Sequence, residues 1–269
     1  MKMDFNMFYA TEDEKPLDRL CTDGGFAGIF RTITCVGDSL SSGEFEGTGP
    51  NGEKTYHDYF EYSWGQYLAR MIGSKVYNFS RGGMTAKEYC NGWAEEKNFW
   101  NKEYASQAYI IALGVNDIYN QGMELGTTED IDRNDYRNNK PTFAGYYGQI
   151  IQRLKEISPD AKFFFMTMPR EDRRAEELNV KGDAHAKLLH EMAEFFDNSY
   201  VLDFRAYAPV YDAKFRENFF LGGHMQPCGY ILTARMVASY MDYLIRHNMK
   251  DFKQVGFIGT PYRNTVDVQ

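Results

Sequence analysis

Residues 31–45 read "RTITCVGDSLSSGEF", an apolar run that stops at Gly37 and is followed at once by an aspartate and a serine. The run is short and rich in β-branched residues, which is how a strand covered on both faces reads. Gly37, Asp38 and Ser39 each suit a tight turn after such a strand: glycine accepts unusual backbone angles, and short polar side chains bond to nearby backbone. Alone, this composition marks a strand end and leaves open whether Ser39 is a nucleophile or a turn residue.

The same strand-then-turn pattern recurs along the chain. "SWGQYLARMIG" (63–73) places Trp64, Tyr67, Leu68 and Met71 on one helical face and stops at Gly73, and "SKVYNFS" (74–80) reads as a second strand. "AYIIALG" (108–114) is a continuous apolar run ended by Gly114, as expected of a parallel strand. The segment 142–169, "TFAGYYGQIIQRLKEISPDAKFFFMTMP", predicts a helix, a turn at Ser158-Pro159-Asp160 and a strand closed by Pro169. A helix in "DAHAKLLHEMAEFFDN" (183–198), a strand in "SYVLDF" (199–204) and a long helix in "GYILTARMVASYMDYLIRHN" (229–248) follow. Alternating strands and helices predict a three-layer α/β/α fold around a mostly parallel sheet. With no repeat and no Pro/Ser-rich linker, residues 1–269 read as one domain, with a core of about 31–248 and terminal extensions packed on it. The polar, acidic stretch 120–140 reads as a loop long enough to act as a lid.

Composition narrows the class of protein. A chain of 269 residues can bury a substantial core. Its formal charge of -8 and pI near 5.2 argue against a nucleic-acid partner, which needs clustered Lys and Arg. No segment approaches the roughly 18 uninterrupted apolar residues of a membrane span. The start "MKMDFNMFYATEDEKPLDRL" interrupts any signal-like apolar core with Asp and Glu, so a cytoplasmic location is expected. Cys21, Cys35, Cys90 and Cys228 are widely spaced, without a CxxC pair or a His at ligand spacing, so free thiols are expected and no metal is implied. Aromatic residues make up 16% of the chain, and "KTYHDYFEYSW" (54–64) and "DYRNNKPTFAGYYGQ" (135–149) set them among polar neighbours. Such segments pack under loops or form cleft walls.

In sheets of this kind ligands gather beyond the carboxyl ends of the strands. Four stretches occupy such places: "GDSLSSG" (37–43), "NFSRGGMT" (78–85), "GVNDI" (114–118) and, before the last helix, "LGGHMQPCGY" (221–230), which holds one of the five histidines. Together they resemble the GDSL, or SGNH, hydrolase family. The resemblance runs from Gly37 to Tyr230 and implies the family's flavodoxin-like architecture and ester hydrolysis without a cofactor. It carries the family serine to Ser39, the glycine to Gly83, the asparagine to Asn116 and the histidine to His224.

Those residue types fit the chemistry. A serine hydroxyl attacks an ester only if a base takes its proton and later returns it to the leaving alcohol, the role the resemblance gives His224. The tetrahedral oxyanion needs aimed donors, for which the Ser39 amide, the Gly83 amide and the Asn116 side chain stand as candidates. Asp38 is expected to cap a helix or orient the Ser39 loop. His185 and His190 fall on a helical pattern as packing or surface residues, and His57 belongs to the Tyr-rich insertion.

One position departs from the family pattern. Three residues before the histidine, where the family has an aspartate, stands Leu221. Either a backbone carbonyl orients His224, or a carboxylate reaches it from elsewhere, with Glu217 and Asp203 the nearest candidates along the chain. The expected substrate is a small-molecule ester, a short acyl group on a carbohydrate or other polar alcohol, because the insertions are polar and Tyr-rich. A lysophospholipase or thioesterase, or a catalytically silent binding protein on the same fold, are the alternatives.

Overall fold

Strands β1 (Thr32–Gly37), β4 (Lys75–Ser80), β5 (Ala108–Ala112), β6 (Lys162–Met166) and β7 (Ser199–Leu202) form one parallel sheet in the order β4-β1-β5-β6-β7 in the computed structural model, which describes residues 8–266. Successive strand residues point to opposite faces, and both faces are covered. Ile33, Cys35, Ile110 and Phe164 face α2 (Trp64–Ile72) and α7 (Pro227–His247), whereas Val36, Tyr109, Ile111, Phe163 and Phe165 face α3 (Phe143–Ile157) and α4 (Glu176–Phe195). Phe163, Phe164 and Phe165 are all fully buried. Two-sided burial is why these strands read as unbroken apolar runs, and each such side chain contributes on the order of 1.5–3 kcal/mol. The expected three-layer α/β/α fold is the one observed.

Described segments on either side of the central core pack onto it. Phe30 meets Phe164 and Phe252 edge to face, and Val255 and Ile258 join the same buried cluster. Glu14 accepts two hydrogen bonds of 2.6 Å from the buried Arg246 guanidinium.

Three local readings change in the structure. Helix α4 begins at Glu176 rather than Asp183 and runs through Gly182, where a Cβ would lie 2.4 Å from the Tyr119 hydroxyl and 2.9 Å from Arg205. Close packing, not a break, explains that glycine. The strand in "SYVLDF" ends at Leu202, and Asp203 instead caps α5 (Phe204–Tyr207), accepting from Ala206 N at 3.1 Å. The stretch 120–140, read as a loop, contains two short 3-10 helices, Thr128–Asp130 and Tyr136–Asn138, and is tied to the core: Ile131 is buried in it, Asn139 donates to Gly145 O and Gln152 Oε1, and Thr142 donates to the buried Asp130.

The Tyr-rich insertion contains a β-hairpin, β2 (Glu44–Thr48) with β3 (Lys54–Asp58), between a one-turn helix α1 (Ser39–Ser42) and α2. Phe45 packs against Tyr59, Tyr62 and Tyr230, which anchors the hairpin. By strand alternation Glu44 and Glu46 take the opposite face.

Candidate active site

Parallel register sets the floor of the site. Gly37 lies level with Ser80 on β4 and Ala112 on β5, so the loops that follow three adjacent strands start side by side. Ser39 is the first residue of α1, and the Asp38 carboxylate caps that turn by accepting from Leu40 N at 3.0 Å. Asp38 is buried, and burial pushes its pKa up to about 6. This is the structural role its position predicts.

The second loop turns at Gly82-Gly83, closed by Met84 N donating to Arg81 O. Gly83 has φ +70°, with open space where a Cβ would point, so left-handed backbone rather than crowding calls for glycine there. Gly82 is different: a Cβ would lie 1.8 Å from Glu44 Oε2. Asp58 at the end of the hairpin accepts from Gly82 N at 3.3 Å and from Ser42 Oγ, tying the glycine turn to α1.

Asn116 follows β5. Its Oδ1 accepts from Asn120 Nδ2 at 2.7 Å and its Nδ2 donates to Met84 O at 3.1 Å, which orients the amide and leaves one N–H without a bonded acceptor among the described residues. Asp117 accepts from Ala86 N at 2.9 Å, locking this loop to the glycine turn. It is fully buried with Oδ2 unpartnered, and burial raises its pKa to about 7.

His224 sits in a tight two-strand turn, β8 (Phe220–Leu221) against β9 (His224–Met225), with Gly222 at φ +68°. The carboxylate beside it is neither of those the chain order suggested. Asp203 is engaged by His190 Nε2 at 2.9 Å and by Thr167 Oγ1 at 3.0 Å, and Glu217 lies exposed on α6 (Ala213–Phe219). Glu44 instead places Oε1 2.9 Å from His224 Nε2, and Glu46 places Oε2 4.0 Å from Nδ1. Glu46 also accepts from Gly223 N at 2.7 Å and pairs with Lys54, which holds its carboxyl below the usual range. Leu221 is more than half exposed, across the turn from His224.

Ser39, Gly83, Asn116 and His224 all line one cleft of about 620 Å³, together with Glu44 and Tyr56. Among the described residues no hydrogen bond joins Ser39 to His224. Beyond the cleft, an apolar recess of about 50 Å³ shares Leu40, Val115, Met168, Pro169 and Tyr211 with it. The lining of the cleft also includes Tyr119, Glu171, Arg173 and Arg174.

The other histidines stand apart. His185 is buried against Phe143 and bonded to Leu113 O, and burial lowers its pKa to about 4. His57 pairs with Thr55 on the hairpin. Among the described residues no group of three or more His, Cys, Asp or Glu side chains is disposed to hold a metal ion, and no helix is long and apolar enough to cross a membrane.

The family description GDSL-like Lipase/Acylhydrolase matches residues 35–232 of this chain. No curated protein matches it. A family two carbohydrate esterase from Clostridium thermocellum, solved in complex with cellohexaose, is similar at 16% identity and TM-score 0.55, over 82% of this chain and 65% of that one. A carbohydrate esterase family 2 enzyme from Corynascus thermopiles (Myceliophthora fergusii), which carries an added carbohydrate-binding domain, gives 15% identity and TM-score 0.55 over 80% of this chain and 66% of that one. This chain thus spans slightly under two thirds of those two proteins. A possible lipase from Chitinophaga pinensis gives 14% identity and TM-score 0.52 over 80% of this chain and 98% of that one. The structural likenesses establish the fold, and the family match covers most of the chain, from β1 into α7. The chain belongs to the GDSL-like lipase/acylhydrolase family and is a hydrolase acting on ester bonds.

Proposed function

We propose that the protein is a serine esterase that removes a short acyl group from a carbohydrate or similar polar alcohol through an acyl-Ser39 intermediate. The observation that carries this reading is the convergence of Ser39, Gly83, Asn116 and His224 on one cleft. Ser39 Oγ attacks the ester carbonyl while His224 takes its proton; the tetrahedral intermediate collapses and His224 returns the proton to the leaving alcohol. Water then attacks the acyl-enzyme by the same route in reverse roles. The Ser39 and Gly83 amides and the free Asn116 N–H receive the oxyanion. Glu44 holds the imidazole and stabilises the imidazolium that forms as Ser39 is deprotonated, the part the family aspartate would otherwise play.

Two features favour a short acyl group. The apolar recess next to the nucleophile, at about 50 Å³, has room for roughly three water-sized groups and not for a fatty chain. The larger cleft is walled by Tyr56, Tyr119, Tyr211 and Phe220 among polar groups, which suits a sugar ring. The test has two parts. A fluorophosphonate probe is expected to label the wild-type protein at Ser39, and Ser39→Ala is expected to lose both labelling and ester cleavage while staying folded. Across nitrophenyl esters, kcat/KM is expected to peak at acetyl or propionyl. Labelling that persists in Ser39→Ala overturns the nucleophile, and a maximum at eight carbons or more overturns the short-acyl assignment.

A further inference from the structure

One part of the cleft wall has more positive charge than it needs for its own structure. The loop after β6 places Glu171, Arg173 and Arg174 on the cleft. Glu171 accepts from Arg173 Nε at 2.7 Å and from Arg174 Nε and Nη2 at 3.0 and 2.7 Å, and Arg216 reaches it only at 3.8 Å. Three guanidinium groups therefore share one largely buried carboxylate. Asp172, the other acid on this loop, is exposed, and Asp183 is taken by Arg170 and Arg205. Arg216 Nη2 donates to Gly222 O at 3.2 Å, while its Nη1 is buried without a hydrogen-bond partner, as is the hydroxyl of Tyr119, over whose ring Arg174 lies at 4.2 Å. Arg216 itself stacks at 4.2 Å on Phe220, another residue of the cleft. Burial and the neighbouring Arg173 guanidinium both push the pKa of Arg216 down, as expected where like charges crowd.

Crowded, partly desolvated cations with idle donors are costly unless an anion joins them, and the planar guanidinium fork is shaped for carboxylate and phosphate oxygens. We infer that Arg173 and Arg174, which line the cleft and share Glu171 with Arg216, form a subsite for an anionic group, carboxylate or phosphate, on the alcohol part of the substrate. The inference rests on the esterase reading for the word substrate, but the anion site is testable without turnover.

Binding of glucuronate, glucose 6-phosphate and glucose is measured by calorimetry with the wild type and Ser39→Ala. At least one anionic sugar is expected to bind ten or more times tighter than glucose to both, with the preference falling as salt rises; the tighter of the two identifies the anion. Arg173 is half exposed, so Arg173→Gln and Arg173→Glu are expected to fold, the first erasing the preference and the second reversing it. Equal binding of all three sugars, or a preference that survives in Arg173→Glu, overturns the subsite. In parallel, kcat/KM is compared for acetylated methyl glucuronate and acetylated methyl glucoside, and Arg173→Gln is expected to lower the ratio at least tenfold through KM. Anion binding without cleavage of any ester overturns the esterase reading and leaves the subsite standing; cleavage with no charge preference does the reverse.

Discussion

The two walls of the cleft bear opposite charge and obtain it differently. On the hairpin side, Glu44 and Glu46 flank His224, and each is already matched: Glu44 by the imidazole, Glu46 by Lys54 and the Gly223 amide. On the loop side, three arginines crowd one glutamate and leave donors idle. A carboxylate beside a histidine acts when the ring becomes charged, so its influence belongs to the transition state. A standing excess of cation acts on whatever already sits in the cleft. Substitutions on the hairpin wall should therefore lower kcat, and substitutions on the arginine wall should raise KM.

The strongest way to break this contrast is Glu44→Gln. It keeps the shape and removes the charge, and kcat is expected to fall about 100-fold or more, with KM little changed, given what losing the carboxylate of a serine-protease triad does. Asp203→Asn and Glu217→Gln, measured alongside, are expected to keep most of the rate. A Glu44→Gln enzyme within threefold of wild type would return His224 to a dyad held by the backbone.

Gly82→Ala probes the same wall from below, since its Cβ would collide with Glu44 Oε2. A loss of about tenfold in kcat is expected, and almost none when the change is made in the Glu44→Gln background, because contacting residues do not act additively. Equal losses in both backgrounds would mean that the glycine turn itself, and not Glu44, was disturbed.

The smallest effect concerns the floor between the walls. Asp117 has a folded pKa of about 7 against an ordinary 3.8, because it is buried. In that interval the folded protein holds the proton more tightly than the unfolded chain, so this group's stabilisation is full below about pH 4 and is lost as pH rises through about 7. Asp117→Asn keeps an acceptor for Ala86 N and removes the titration. Its Tm is expected to exceed that of the wild type by a few degrees at pH 8 and to match it near pH 4, by calorimetry. A wild-type advantage that grows with pH would show that the carboxylate is held as an anion.

The fold was legible because its signals are local. A strand with both faces covered must be apolar throughout, as "KFFFM" and "AYIIA" are, and the blocks that end β1, β4 and β5 lie next to one another once the strands are parallel and in register. The hairpin was also within reach, since Glu44-Phe45-Glu46 and Lys54-Thr55-Tyr56 alternate on either side of the turn-forming Gly49-Pro50-Asn51-Gly52.

Which carboxylate stands beside His224 was not legible, nor that the arginines of the β6 loop meet Arg216. Ser39, Gly83, Asn116 and His224 are named by the pattern of the residues around them, so the sequence alone could nominate all four. Glu44 and Arg173 are marked by nothing nearby. Their positions follow from where an inserted hairpin folds back and where a loop descends from the sheet, and side-chain distances between segments far apart in the chain are set by packing, which spacing along the backbone does not encode.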